Sequence, residues 1–125
     1  FVYADKNQLI RVFTNLVKNA IQAMPNNQKG VIVVNVKLYD QSVVVAIADN
    51  GVGISPEMSE KVFSPNFTTK NSGMGLGLAM SQSIIEAAKG KIWFESEVNI
   101  GTIFFVRLPL IQPKQEFIEI DKPAY

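Results

Sequence analysis

Two asparagines stand four residues apart in an apolar segment near the start of the chain. At this spacing Asn15 and Asn19 would share one face of a helix, at the edge of its apolar stripe. The side-chain amide oxygen of asparagine can ligate a hard cation such as Mg²⁺, and phosphates can supply further ligands. Two surface asparagines beside a core would give the same pattern, and the two residues alone favour that interpretation.

A carboxylate stands at the end of a strongly apolar run. Asp49 closes a β-branched segment and is followed by Asn50, Gly51 and Gly53. A half-buried carboxylate can accept a hydrogen bond from an exocyclic amine such as that of adenine, and glycines let a flat ring approach the backbone. Asn-Gly is also a common turn dipeptide, so a base-binding site and a simple turn are equally supported here.

A second group of glycines precedes another apolar segment. Gly73, Gly75 and Gly77 alternate with Met74 and Leu76. Glycines before a helix let free backbone N–H groups converge on a phosphate, and the helix dipole favours the negative charge. The absence of a following Gly-Lys-Ser/Thr excludes a P-loop, and the glycine spacing does not fit the dinucleotide fingerprint. A flexible linker is the alternative, although it would not require alternating glycines beside a helix.

Composition excludes several kinds of chemistry and partner. The 125 residues fit one domain, and they contain neither Cys nor His. Thiolate metal sites, histidine-ligated zinc and a Ser-His-Asp triad are therefore excluded. A net charge of +1 does not favour nucleic acid, and the apolar runs are too short to span a bilayer. Because the chain begins at Phe1 in the middle of a pattern, we expect it to be a piece of a longer protein.

The elements that must position these residues follow from apolar periodicity and turn signals. A broad apolar stripe predicts a first helix with Asp5 as its N-cap, and β-branched runs predict two hairpins. The predicted elements are helices over residues 5–24, 55–63 and 77–89, the last closed by Gly90, strands over 31–39, 42–49, 91–97 and 102–108, a polar loop over 64–73 and a short edge strand at 117–120. Their order predicts an α+β fold, a two-layer sandwich with helices on one face of a mixed, mostly antiparallel sheet.

In this order and spacing, the motifs resemble the nucleotide-binding boxes of sensor histidine kinases. Asn-x-x-x-Asn-Ala, Asp-x-Gly-x-Gly-Ile, Phe-x-x-x-Phe-Thr-Thr-Lys and Gly-x-Gly-Leu-Gly-Leu are similar to the N box, the first glycine box, the F box and the second glycine box. The segment from Gly101 to Pro109 is similar to the last strand of the family. The resemblance implies the Bergerat ATP-binding fold over residues 1–110 with a tail over 111–125, and residues 15–24 are most similar to the nitrogen-sensor branch.

The resemblance implies a role for each matching residue. Asn19 would be the Mg²⁺ ligand, Asn15 would lie near the phosphates and Asp49 would hold the adenine amine. The other implied nucleotide contacts are Gly51 and Gly53 in the adenine pocket, Gly73, Gly75, Leu76 and Gly77 at the hinge of a lid over residues 64–74, Lys70 at a phosphate, and Thr102 behind the base. Gln22 and Asn66 depart from the family, which more often has a cation and an aromatic residue at those positions.

The implied function is that of an ATP- and Mg²⁺-binding catalytic domain. It would transfer the γ-phosphoryl group to a histidine on a separate dimerisation domain, with a response regulator as an indirect partner. The isolated domain would be a cytoplasmic monomer, belonging to a homodimeric full-length protein that a membrane segment could anchor. ATP-hydrolysing relatives place a Glu base where Asn15 stands, and an amide cannot take a proton from water. The alternatives are an anti-sigma-type Ser/Thr kinase and a non-catalytic nucleotide-sensing module.

Overall fold

The first helix begins where a carboxylate accepts hydrogen bonds from its free N–H groups. The computed structural model of the chain describes residues 5–64 and 74–110. In it the Asp5 carboxylate accepts hydrogen bonds from the backbone N–H groups of Asn7 and Gln8, at 2.8 and 3.3 Å. Helix α1 spans Lys6–Gln22, so the predicted N-cap is confirmed and the predicted end is two residues too late. A cap of this type stabilises a helix by about 1 kcal/mol.

Only the central part of the predicted apolar stripe of α1 enters the core. Val12, Leu16 and Ala20 are buried, whereas Ile10 and Ile21 are 53% and 57% exposed. Ile10 and Ile21 lie three helical turns apart, so they share a face that is rotated away from the buried one. The buried face of α1 is therefore narrower than the apolar stripe predicts, because apolar residues also occur on the exposed side of this helix.

One antiparallel sheet holds all four strands of the described residues. Strands β1 and β2 span Ile32–Leu38 and Ser42–Asp49, and β3 and β4 span Lys91–Glu97 and Gly101–Pro109. The order across the sheet is β1-β2-β4-β3, so the two predicted hairpins join through β2 and β4. The register places Asp49 opposite Thr102 and Thr102 opposite Ser96. These three residues therefore form one row across the sheet, on one face.

Two further helices lie between the hairpins in the chain. Helix α2 spans Pro56–Ser59, so it ends four residues before the predicted end at 63, and it begins with Pro56 at its first position after Ser55 as the N-cap. Helix α3 spans Met74–Ala87. Its Leu78 and Ile85 are buried in the same core as α1 and the inner side chains of β2, β3 and β4. Phe63, after α2, lies with its ring centroid 6.0 Å from Phe94 and closes one side of this core.

Helix α3 begins three residues earlier than the sequence predicts. Gly75 and Gly77 therefore lie inside its first turns and not in front of it. Glycine keeps its backbone N–H and so interrupts no helical hydrogen bond, but each glycine costs about 1 kcal/mol relative to Ala through lost conformational freedom. A Cβ added at Gly77 would lie 3.4 Å from the Asn15 amide, which is ordinary contact. Gly77 thus lies against α1, and packing of α3 on α1 offsets the low helix propensity of the two glycines.

The end of α3 also differs from the prediction. The residue in the left-handed conformation is Lys89, with φ 68°, and not Gly90. The N–H of Gly90 donates to the Ile85 carbonyl and that of Lys89 to the Glu86 carbonyl, both at 2.9 Å, which is the Schellman pattern. Gly90 is required for another reason, since a Cβ there would overlap the carbonyl oxygen of Arg107 on β4.

Strand β1 is an edge strand, and beyond Ile32 no other described element covers it. Val34, Val36 and Leu38 are 55%, 60% and 72% exposed, although they share a face with core residues of β2. Of β1, only Ile32 packs against the core that α1 and α3 form with the other three strands. Within residues 5–64 and 74–110, no helix has the length and apolar character needed to cross a bilayer. The strand predicted at 117–120 lies outside the described residues.

Removing a buried hydroxyl from α3 is expected to stabilise the fold. Ser81 is fully buried and its Oγ has no hydrogen-bond partner. Because an unpartnered buried hydroxyl is destabilising, Ser81→Ala should raise the free energy of unfolding by about 1 kcal/mol. Urea denaturation measures this, with Ser83→Ala on the exposed side of the same helix reporting helix propensity alone. An equal gain in both variants would contradict the burial argument.

Candidate functional site

One face of α1 connects the two glycine-rich segments. Asn15, Asn19 and Ala23 follow at four-residue steps and lie above one another at the C-terminal end of this helix. Gly77 of α3 lies against the Asn15 amide, and Gly51 lies so close to Ala23 that a Cβ would be 2.5 Å from the Ala23 carbonyl oxygen. Asn19 stands between these two contacts. The fold therefore brings both predicted glycine boxes to the predicted asparagine face.

Asn19 is buried, which excludes the interpretation as a surface asparagine. It is 8% exposed, and its side-chain Nδ2 has no hydrogen-bond partner. Burying an unpartnered amide costs about 1–3 kcal/mol, so a group outside the described residues is expected to satisfy it. The described residues contain no group of three or more Asp or Glu that could hold a metal ion. A cation beside Asn19 would thus depend on phosphate and water oxygens, as Mg²⁺ often does.

Asp49 ends β2 with its carboxylate turned back towards the backbone. Its Oδ1 accepts hydrogen bonds from the N–H of Gly51 at 2.8 Å and of Thr102 at 3.3 Å. No described residue donates to Oδ2. Burial raises the pKa of the Asp49 carboxyl above its usual value, and the backbone hydrogen bonds from Gly51 and Thr102 oppose that shift. The structure thus orients one carboxylate oxygen and leaves the other available to a ligand.

The loop after Asp49 is fixed from both sides. On one side the Val52 N–H donates to the Ala23 carbonyl at 2.9 Å, and on the other the Asn99 N–H donates to the Val52 carbonyl at 2.8 Å. Gly53 has φ 78°, and a Cβ there would overlap the carbonyl oxygen of Glu97. The glycine pattern predicts that a flat ring lies against the backbone here. In the structure, protein backbone fills that space next to both Gly51 and Gly53.

Ser96 and Asn50, which were not among the predicted site residues, connect the loop after Asp49 to the neighbouring strands. The Ser96 hydroxyl accepts a hydrogen bond from the Ile54 N–H at 2.7 Å and lies 2.7 Å from the Thr102 hydroxyl. The Asn50 side chain accepts from the Val31 N–H at 2.9 Å and so fixes the chain before β1. The register of β3 on β4 identifies Ser96, because it stands directly opposite Thr102.

Part of the predicted site lies outside the described residues. These are residues 65–73 of the proposed lid, which include Lys70 and Gly73. Gly75 and Leu76 fall within α3, in the turn that begins at Met74. The described residues thus bring together Asn15, Asn19, Asp49, Gly51, Gly53, Gly77 and Thr102.

The fold and the predicted site residues together define a class of protein. Comparison with known proteins identifies the same class. Residues 4–112 match the family described as histidine kinase-, DNA gyrase B-, and HSP90-like ATPase, and the chain belongs to that family. Within it, the catalytic domain of the histidine kinase ThkA, solved in a nucleotide-free form, superposes with a TM-score of 0.75 and 41% identity over 86% of this chain and 70% of that one. The chain is therefore a catalytic domain of the histidine kinase type, and the α+β Bergerat fold is confirmed.

The similar full-length proteins are much longer than this chain. Sporulation kinase E of Bacillus subtilis (strain 168) is 41% identical over 116 residues, which are 92% of this chain and 15% of that protein. Sensor protein FixL of Bradyrhizobium diazoefficiens is 40% identical over 109 residues, 86% of this chain and 22% of that protein. The chain thus spans less than a quarter of either relative. The expected likeness to the nitrogen-sensor branch stays a prediction.

Proposed function

We propose that this domain binds Mg²⁺-ATP between α1, α3 and the loop after Asp49, and transfers the γ-phosphoryl group to a histidine of another domain. The observation that carries the proposal is the buried Asn19 side chain, whose Nδ2 has no partner, on a helix face that contacts Gly77 and the glycine loop after Asp49. Such an arrangement suits a ligand with an amine at one end and phosphates at the other. The chain has no histidine, so the phosphoacceptor must be elsewhere.

The residues of the chain act by positioning and not by covalent chemistry. Asp49 Oδ2 would accept the adenine amine, Thr102 would lie behind the base, and Asn15 would face the phosphates. Asn19 would contribute its amide oxygen to Mg²⁺, which neutralises phosphate charge when bound. Gly73, Gly75, Leu76 and Gly77 would form the hinge of a lid over residues 64–74, with Lys70 reaching a phosphate. Phosphoryl transfer depends mainly on such positioning and charge stabilisation, so no catalytic base is assigned.

The proposed transfer is a simple exchange of one bond for another. The bond between the γ-phosphorus and the bridging oxygen breaks, ADP leaves with the electron pair, and an imidazole nitrogen forms the new P–N bond. The acceptor would lie on a dimerisation domain of the same full-length, homodimeric protein, and a response regulator would take the phosphoryl group later. We expect the isolated domain to be a cytoplasmic monomer.

Radiolabelled ATP tests this function directly. The chain should bind ATP, release phosphate slowly and label the histidine of its own dimerisation domain supplied in trans, as an acid-labile phosphate. Transfer should be slow because cutting the tether lowers the effective concentration. Rapid phosphate release by the chain alone would favour an ATPase. Acid-stable label on a serine would favour an anti-sigma-type Ser/Thr kinase, and ATP binding without transfer would favour a nucleotide-sensing module.

Removing the Asn19 amide is expected to weaken ATP binding only when metal is present. Outer-shell partners of metal ligands change metal affinity by about 10–100-fold, and a ligand should matter at least as much. Calorimetric titration with a non-hydrolysable ATP analogue should therefore show at least about a tenfold loss for Asn19→Ala in Mg²⁺ and little change in EDTA. Asn7→Ala, an exposed asparagine of the same helix, is the matched control. An identical loss in both conditions would remove Asn19 from the metal site.

A further inference from the structure

The sheet has an outer face, made of the strand residues that alternate with those of the core. Helices α1 and α3 pack on the opposite face, and no residue of the outer face belongs to the described core. At the centre of the outer face the rings of Trp93 and Phe105 stack with their centroids 5.1 Å apart, and both side chains stay partly exposed. The register surrounds this pair with apolar residues of the other strands, namely Val33, Val44 and Ile103. The outer face therefore carries an apolar patch.

A row of three cations, which we call the basic row, borders this patch. Lys37, Arg107 and Lys91 lie in one line across the four strands, with Val44 at the β2 position of the same line. All three cationic side chains are exposed. The Lys91 Nζ lies 5.4 Å from the centre of the Trp93 ring, so the basic row and the aromatic pair are in direct contact.

Such a surface suits an occupant that is both acidic and apolar. Partly exposed apolar patches with a polar border often mark binding surfaces. Neighbouring cations in one row of a sheet repel each other unless acids lie among them, and Glu95 stands two rows away. An occupant with carboxylates at the basic row and apolar side chains over the aromatic pair would reduce this repulsion and cover the patch.

The chain itself contains a segment of this kind, close to the basic row. Residues 116–121, Glu-Phe-Ile-Glu-Ile-Asp, combine three acids with three large apolar side chains and contain no base. Strand β4 ends at Pro109 beside the basic row, and the Leu110 N–H donates to the Gln41 carbonyl at 2.9 Å. The five intervening residues, 111–115, can span about 20 Å when extended. Since four strands are about 14 Å across, residues 116–121 can reach the whole outer face.

We propose that residues 116–121 dock on the outer face, with their carboxylates at the basic row and their apolar side chains over Trp93 and Phe105. The composition of the segment matches the surface in both charge and apolar character. Its covalent connection to β4 also gives it a high effective concentration, which favours it over a second copy of the chain or another acidic partner. The contact does not involve the nucleotide site, so this inference is independent of the proposed function.

Trp93 is the only tryptophan of the chain, so its fluorescence reports on the outer face directly. Acrylamide is a neutral quencher, and its access to Trp93 does not depend on the charges that are changed. In the full chain, Glu116→Lys, Glu119→Lys and Asp121→Lys together should raise the Stern–Volmer constant at least about twofold, because three exposed ion pairs shift a docking equilibrium by about tenfold. The control replaces three exposed acids at α2 and α3 by Lys and should leave the constant unchanged, at Glu57, Glu60 and Glu86.

A charge swap tests whether the segment contacts the basic row. Lys37→Glu, Lys91→Glu and Arg107→Glu together should also raise the quenching, and combining them with the three Lys substitutions should restore the protection of the unaltered chain. The base-reversed and combined chains have the same sheet surface, so any difference between them comes from the segment. The substituted strand residues are exposed, and circular dichroism checks that the fold is retained.

Two results of the quenching experiment would overturn the proposal at once. Unchanged quenching in the acid-reversed chain would show that the outer face is open to another partner, and a combined chain without restored protection would show that the charges do not pair. Protection of Trp93 that rises with chain concentration would also overturn it, because it would identify a second copy as the occupant.

Discussion

Gly101→Ala is expected to destabilise the domain by about 3–5 kcal/mol, because backbone strain and steric overlap add. Gly101 has φ 147°, a conformation that residues with a Cβ rarely adopt. A Cβ at this position would also overlap the Asp49 carbonyl oxygen on the neighbouring strand. Neither the Asp49 backbone nor the turn before β4 can move without breaking the β2–β4 ladder. Since small domains are stable by about 5–15 kcal/mol, much of the variant should be unfolded at moderate urea.

Urea denaturation followed by circular dichroism measures this effect, and Gly30→Ala is the matched control. A Cβ at Gly30 would meet only the flexible end of the Met24 side chain, at 3.0 Å, and its φ lies outside the region that favours glycine. We expect a change of less than about 1 kcal/mol in that variant. The denaturant slope should stay the same in all three proteins. A loss below 1 kcal/mol for Gly101→Ala would show that the turn can relax.

Asp49→Asn is expected to reduce ATP affinity by about 5–150-fold, which corresponds to one lost polar contact of 1–3 kcal/mol. Both described hydrogen bonds of Asp49 go to Oδ1, and an amide oxygen can accept the same two N–H groups. The substitution therefore changes the free position from an acceptor to an N–H donor, which cannot pair with the adenine amine. ITP, whose ring carries an oxygen in place of that amine, should lose less affinity than ATP. Calorimetric titration with both nucleotides measures the change in preference.

The same substitution should not destabilise the apo domain, and its effect should depend on pH. Burial raises the pKa of Asp49, so the folded state binds a proton more tightly than the unfolded chain does. The stability that this provides is fully present below the unfolded pKa, about 4, and is lost as pH rises through the raised folded pKa. Asn does not ionise, so the unfolding free energy of the variant relative to wild type should increase from about pH 4 upwards. A parallel loss of stability and binding at neutral pH would indicate misfolding.

Periodicity and turn chemistry were sufficient to predict most of the secondary structure. The bounds of β2 and β3 agree with the sequence prediction, and the Asp5 cap and the helix start at Pro56 are confirmed. These features are local, because a β-branched run, a side-chain cap or a proline acts on its own few residues. The order of elements then limited the fold to helices on one face of a largely antiparallel sheet.

The sequence and the family resemblance also predicted which residues bind a nucleotide, but not how the chain packs each of them. Asn15, Asn19 and Asp49 were selected by residue type and spacing, and the fold brings their segments together. The glycines were assigned to ligand approach, yet backbone from Ala23 and Glu97 fills the space beside Gly51 and Gly53. That space depends on contacts between residues far apart in the chain, which no local pattern encodes.

Only the tertiary structure decided the burial of Asn19, the exposure of Ile10 and Ile21, and the position of Ser96 in the hydrogen-bond network. An apolar stripe gives the direction of a helix face but not how much of it a neighbour covers, because coverage depends on where α3 and the sheet pack. A serine in a strand has no distinguishing local signal until the register pairs it with Thr102. Residue type and spacing thus indicated the candidate binding groups, because these patterns act on a few neighbouring residues. Packing between distant segments decided which of those groups are buried, oriented or available to a ligand.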